Sequence, residues 1–310
     1  MNRVVAAWER FWFEPQETSS LAVLRICFGL VALAWTIALA PDLSAFFSRT
    51  GLVASQPHAG GVWGVLGVFP GRLAVMVMFA VLVVACVCLT VGYRTRLAAL
   101  LVFVGVLSFE RRNPYVFNTG DGLIRLIALF LILTPAGASL SVDRWRKARD
   151  RFWEFPACAP WGLRLMQLQL SILYIASVVD KLEGTTWVHG SAISYALRIS
   201  DLERLPLPLV LTHSALVSGL LTYGALATEL GIGVLVWNRR LRPWVLAVGV
   251  VMHVTIEWSI RVGFFGLAIL TLYLAFLDPT WCSARLRHLQ RRLSRRGASR
   301  PAALAARPQP

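Results

Sequence analysis

Negative charge is in short supply in this chain, with 16 Asp and Glu against 31 Lys and Arg, and only 15% of its 310 residues charged at all. An ordinary soluble domain carries about 25% charged residues, and a chain this poor in charge and 57% apolar is not one. Lysine is scarcer still, for Lys147 and Lys181 are its only examples and every other cation is arginine. The five cysteines, Cys27, Cys86, Cys88, Cys158 and Cys282, are odd in number and scattered, which excludes a disulfide framework. Cys86 and Cys88 lack the two-residue gap of a zinc or redox pair and diverge on a helix, so they read as packing residues. There is no phosphate-binding glycine loop, no dinucleotide fingerprint and no internal repeat.

What the chain does have is long apolar runs. Those at 21–40, 73–91, 163–179, 216–236, 244–258 and 263–277 read as long enough to cross about 30 Å of hydrocarbon. Two shorter runs, 97–109 and 123–134, complete an expected all-α, polytopic membrane helix bundle of about eight transmembrane helices. The third and fourth are short enough to form a re-entrant pair. Residues 1–19 place Trp8, Phe11, Trp12 and Phe13 among charges and predict an interfacial helix. Residues 20–279 form the membrane domain, and 280–310 a basic tail with Leu286, Leu289 and Leu293 on one stripe, ending in an Ala/Pro-rich stretch.

The net charge of +15 suggests nucleic acid until its distribution is read. Arginines concentrate at the N-terminus, at 144–151, at 239–242 and in the tail, as the positive-inside rule requires of cytoplasmic segments. The bilayer therefore replaces nucleic acid as the expected partner. The expectation is a multi-pass cell-membrane protein with both termini cytoplasmic and two long segments, 41–71 and 180–215, outside and able to fold back over the bundle.

Ionisable groups inside a membrane are costly and default to functional candidates. Here they are Arg25, Asp121, Arg125, Asp180, Lys181, Glu229, His253, Glu257 and Arg261, joined by the polar Asn118, Gln167 and Gln169. Residues seven apart stay within about 20° on a helix, so Gln167, Tyr174 and Lys181 share a stripe. His253, Glu257 and Arg261 form another at i, i+4 spacing. Arginine keeps its proton in proteins whereas a desolvated lysine can lose it, which makes Lys181 a candidate base and His253 with Glu257 its tuning partners. The plainer reading stands beside it: Lys181 pairs with Asp180 or Glu183 at the interface, and Asp121 bridges Arg125. His253 and Glu257 are two metal-type ligands without a third, so no metal is expected.

The blocks LAVLRICFGLVALAW, GYRTRLAALLVFVGVLSFERRNPYVFNTGDGLIRLIALFLILTP, LQLSILYIASVVDKLEGTTWVHGSAISYAL and MHVTIEWSIRVGFFGL, in that order, resemble the horizontally transferred transmembrane (HTTM) family related to vitamin K-dependent gamma-carboxylase. The resemblance implies that Lys181, followed by Leu182 and Glu183, is the base that deprotonates reduced vitamin K or another isoprenoid hydroquinone, for oxygenation or carboxylation. It implicates His253 as a site residue, with Glu257 beside it. Arg25, Asn118, Asp121, Arg125, Gln167 and Tyr174 are the candidate substrate-binding residues. The carboxylase has a histidine before its fourth span, where this chain offers Asn113, Asn118 and Asp121. Bacterial members of the resembling family also include non-catalytic maturation or export factors, so a secreted peptide or toxin is the alternative partner.

Overall fold

A computed structural model describes residues 2–52, 64–205 and 207–298. It is a bundle of helices, with one two-residue strand pair, β1 (Gln16–Glu17) against β2 (Ala157–Cys158), tying the first loop to a later one. The long helices are α2 (Ser19–Ala38), α5 (Arg72–Val91), α6 (Thr95–Arg112), α7 (Thr119–Leu133), α9 (Trp161–Leu182), α13 (Ala215–Leu235), α14 (Arg242–Ser259) and α16 (Pro279–Ala298). Shorter ones are α1 (Arg3–Phe13), α3 (Leu43–Phe47), α4 (Val65–Val68), α8 (Val142–Lys147), α10 (Thr185–Val188), α11 (Ala192–Ala196), α12 (Leu209–His213) and α15 (Phe265–Tyr273).

Every apolar run becomes helix, but fewer than eight qualify as spans. Among the described residues α2, α5, α9 and α13 are long and apolar enough, and a fifth is reached only by joining Phe265–Phe276 to Pro279–Arg292 across a 99° bend. The others fall short for physical reasons. The 18-residue α6 takes in Arg96, Glu110, Arg111 and Arg112, and the 18-residue α14 takes in Arg242, His253 and Glu257. At 1.5 Å per residue the 15-residue α7 reaches only about 22 Å. The described residues thus give an all-α membrane protein with four or five candidate spans, and the expected count of about eight is not confirmed.

Local chemistry sets the helix ends. Asn118 and Asp121 form a capping box at the start of α7, and Gly92 in the left-handed region closes α5, its N–H donating to the Cys88 carbonyl. Leu24, Phe28 and Trp35 of α2 pack with Leu82 and Leu89 of α5, Val102 and Phe109 of α6, and Ile124 and Leu131 of α7. Gly29 permits the α2–α5 crossing, since a Cβ there would stand 2.9 Å from the backbone N and Cα of Thr90. The outward side of α5 is apolar as well: only 28% of its span window is buried, and Val77, Val84 and Val87 are exposed. Water would penalise such a surface and lipid does not.

The segments between spans fold onto the bundle. Phe47 of α3 meets Phe109 edge-on at 5.0 Å, and Arg112 donates to the Ser48 carbonyl at 2.9 Å. The middle of that segment, 53–63, lies outside the described residues, as does the end of the tail from 299. Beyond Lys181, α10–α12 run beside the N-terminal half of α13, where Ser218 donates to the Gly190 carbonyl at 2.9 Å and Tyr223 to the Val188 carbonyl at 2.8 Å.

Candidate functional site

The polar stripe of α9 meets a different neighbour at each level. Gln167 Nε2 donates to the Ala275 carbonyl at 2.7 Å and its Oε1 accepts from Arg164 at 2.8 Å. Two turns on, Tyr174 Oη lies 2.6 Å from His253 Nε2 of α14 and 2.5 Å from Tyr273 Oη of α15. Two turns further, Lys181 Nζ is hydrogen-bonded to Glu229 Oε1 of α13. Ser177 donates to the other Glu229 oxygen at 3.2 Å, and the Trp187 ring lies under the ammonium at 4.9 Å. Regular helical spacing thus carries Gln167, Tyr174 and Lys181, each with its own partners, into one interior column.

The pairing of Lys181 with Glu229 depends on a stagger between α9 and α13. Ser171 meets Trp237 at 2.8 Å, which sets Lys181, at the end of its own helix, against a residue past the middle of α13. The side chains of Lys181 and Glu229 are 22% and 10% exposed. Asp180 and Glu183, the partners that proximity in sequence suggests, make no such pair among the described residues.

Beside the column, Arg204, His253, Val254, Glu257, Trp258 and Leu270 help line a cavity of about 260 Å³ between α14 and α15. Glu257 Oε1 accepts from Arg204 Nη2 at 2.6 Å, so its cation is Arg204 rather than Arg261. Arg261 instead donates its backbone N–H to the Leu202 carbonyl at 2.7 Å, which clamps the loop that carries Arg204. Two buried polar atoms here have no protein partner, His253 Nδ1 and Glu257 Oε2. An unpaired buried polar atom is expensive, and one on each of two cavity-lining residues points to a ligand. Among the described residues no three His, Cys, Asp or Glu side chains gather as metal ligands.

The remaining sequence candidates lie apart from this cavity. Arg25 donates through Nη1 and Nη2 to the carbonyls of Ala136, Ser139 and Leu140 at 2.6–3.1 Å, fixing the loop after α7. Arg125 pairs with Glu110, not with Asp121. Asp121 accepts from Trp35 Nε1 at 2.7 Å and from the Asn118 N–H at 2.6 Å. Asn118 also reaches the Val262 carbonyl at 3.4 Å, tying α7 to the chain that enters α15. Sequence reasoning did not assemble Glu229, Tyr273, Trp187 and Arg204 into the site. Glu229 alone carried a signal, as an acid within a spanning run.

Compared with known proteins, the chain matches no curated protein and no solved structure. The family model of the HTTM domain does match it, over residues 13–281, a range holding the whole polar column and the cavity beside it. On that match, which spans nearly the whole chain, the protein belongs to the HTTM domain family.

Proposed function

We propose that the protein is a membrane enzyme that takes a proton from a lipid-soluble hydroquinone, with Lys181 as the base and His253 and Glu257 as the groups that hold the ligand. The observation that carries this reading is the pair of orphaned atoms, His253 Nδ1 and Glu257 Oε2, on two residues that line a cavity whose other walls, Arg204 apart, are apolar. A flat apolar ring bearing hydroxyls satisfies both: one hydroxyl donates to the carboxylate, and Trp258 offers a face to the ring. Reduced vitamin K or another isoprenoid hydroquinone has that form, and when bound it supplies an acidic hydroxyl on a ring that can be oxidised.

Lys181 accepts a proton only after giving up its own, and the Glu229 carboxylate in contact with it is the acceptor at hand. Transfer within the pair leaves both groups neutral and the amine lone pair available. Tyr174 holds His253 through Nε2, which leaves Nδ1 as the ring nitrogen without a partner. Lys181 is not among the residues lining that cavity, so the experiment has to separate a base at Lys181 from one at His253. Native mass spectrometry of detergent-purified protein should detect a bound isoprenoid quinone. Lys181→Arg keeps the charge but supplies no neutral amine, and hydroquinone oxidation should fall about a hundredfold or more with folding intact. Near-normal activity in Lys181→Arg, with loss in His253→Gln, would move the base to His253.

A second reading is a non-catalytic maturation or export factor for a secreted peptide or toxin. It is favoured by the engagement of Lys181 with both Glu229 and Trp187, as in a purely structural pair. Absence of quinone, full function of Lys181→Arg and co-purification of a secreted peptide would select it. Cytoplasmic N- and C-termini belong to the same proposal and rest on the distribution of arginine.

A further inference from the structure

Far from the polar column, where α5 turns into α6, two cavities adjoin. The larger, about 640 Å³, is lined by Arg94, Arg96, Arg144 and Lys147, with Thr95 and Asp143 at its base. Asp143 is its one acid, and its carboxylate is turned to the backbone N–H groups of Arg94 (2.8 Å) and Thr95 (3.0 Å) and to the Thr95 hydroxyl (2.9 Å). Arg94 and Arg96 make no ion pair among the described residues. Arg144 pairs with Glu154 at 3.3 Å, and Arg94, Arg96 and Lys147 remain as a surplus of cations over one occupied carboxylate, which leaves a site for an anion.

The second cavity, about 330 Å³, is an apolar groove between α5 and α6 lined by Val81, Val84, Ala98 and Leu101. Arg94 and Leu97 belong to both cavities, so the groove opens into the basic one. Its lining on α5 runs from Ala80 to Cys88 at helical spacing, about 12 Å at 1.5 Å per residue, and continues past the helix end to Tyr93. One leaflet of hydrocarbon is about 15 Å deep, half of the 30 Å core.

We propose that the joined cavities hold one anionic phospholipid, its headgroup phosphate among Arg94, Arg96, Arg144 and Lys147 and one acyl chain in the groove between α5 and α6. A free phosphate would use the basic cavity and leave the groove empty. An uncharged lipid would use the groove and leave the arginines unmatched. Only an anionic lipid matches both, and a turn at the end of the most apolar of the candidate spans is where headgroups stand.

The test is the thermal stability of delipidated, detergent-purified full-length protein titrated with phosphatidylglycerol, phosphatidylcholine or inorganic phosphate. Phosphatidylglycerol should stabilise at several-fold lower concentration than phosphatidylcholine, and phosphate should give no shift. Arg94→Gln/Arg96→Gln should raise the phosphatidylglycerol concentration required on the order of tenfold or more. Val84→Trp, at an exposed position, should weaken phosphatidylglycerol with no change in charge, and it decides the matter if the double variant does not fold. Arg291→Gln/Arg292→Gln removes the same charge from the tail and should respond like the unaltered protein. Equal response to the two lipids, phosphate acting as well as phosphatidylglycerol, or the tail variant losing as much as the cavity variant would each overturn the proposal.

Discussion

Removing the charge of Glu229 should destabilise the protein more than a surface ion pair allows, and removing both charges of the pair should destabilise it less than the sum. Exposed pairs contribute about 0–1 kcal/mol, whereas breaking a buried pair costs about 3–5 kcal/mol because a charge is left without compensation. With side chains 22% and 10% exposed, Lys181 and Glu229 fall near the buried limit. Ser177 and Trp187 stay in place after Glu229→Gln and recover part of the loss. The expected cost is therefore about 2–3 kcal/mol for Glu229→Gln and a similar amount for Lys181→Met. The double variant Lys181→Met/Glu229→Gln leaves no orphaned charge, so a coupling of about 2 kcal/mol should appear in a double-mutant cycle. For a large domain each kcal/mol is worth about 2–4 °C, and melting in detergent, followed by the loss of the monodisperse species, resolves that. Additivity within about 0.5 kcal/mol would refute the pair and the α9–α13 stagger that makes it.

Tyr174→Phe removes the hydroxyl shared by His253 and Tyr273 and should cost about 1–3 kcal/mol, read as a lower melting temperature; an unchanged melt would sink the buried triad. Burial pushes the Asp143 carboxyl up, but the hydrogen bonds from Thr95 and Arg94 outweigh it and hold it below the ordinary carboxylate range. Its stabilising contribution is therefore full above the ordinary carboxyl pKa of about 3.9 and is lost as pH falls through the lower folded value. Melting curves of the unaltered protein and Asp143→Asn should differ at pH 6 and converge in strong acid, and a constant gap would contradict that sign. Reporter fusions at Arg149 and Ser191 should report opposite sides of the membrane, and the same side for both would refute the arginine-based orientation.

Several features of this protein are legible in its amino-acid sequence. Scarce charge and long apolar runs are enough for an all-α membrane protein, because lipid tolerates little besides helices with apolar surfaces. Seven-residue spacing places Gln167, Tyr174 and Lys181 on one face of α9, and that face does run along the interior. Ordered sequence blocks carry the family, and the family model spans residues 13–281.

Partners are another matter, because helical periodicity sets the direction of a side chain about its own axis and says nothing about which helix stands opposite or how far it is shifted. Lys181 takes Glu229 across the stagger of α9 and α13, Glu257 takes Arg204 from a loop, Arg125 takes Glu110 from α6, and Arg25 takes three carbonyls. The count of spans is not legible for a related reason: an apolar run ends at its last apolar residue, whereas the helix continues into charges, as α6 does at Glu110, Arg111 and Arg112, or stays short, as the 15-residue α7 does. Composition determined the solvent and helical period determined the polar faces. Only the packing of those faces, a matter of long-range register, decided which charges meet and where a cavity is left between α14 and α15.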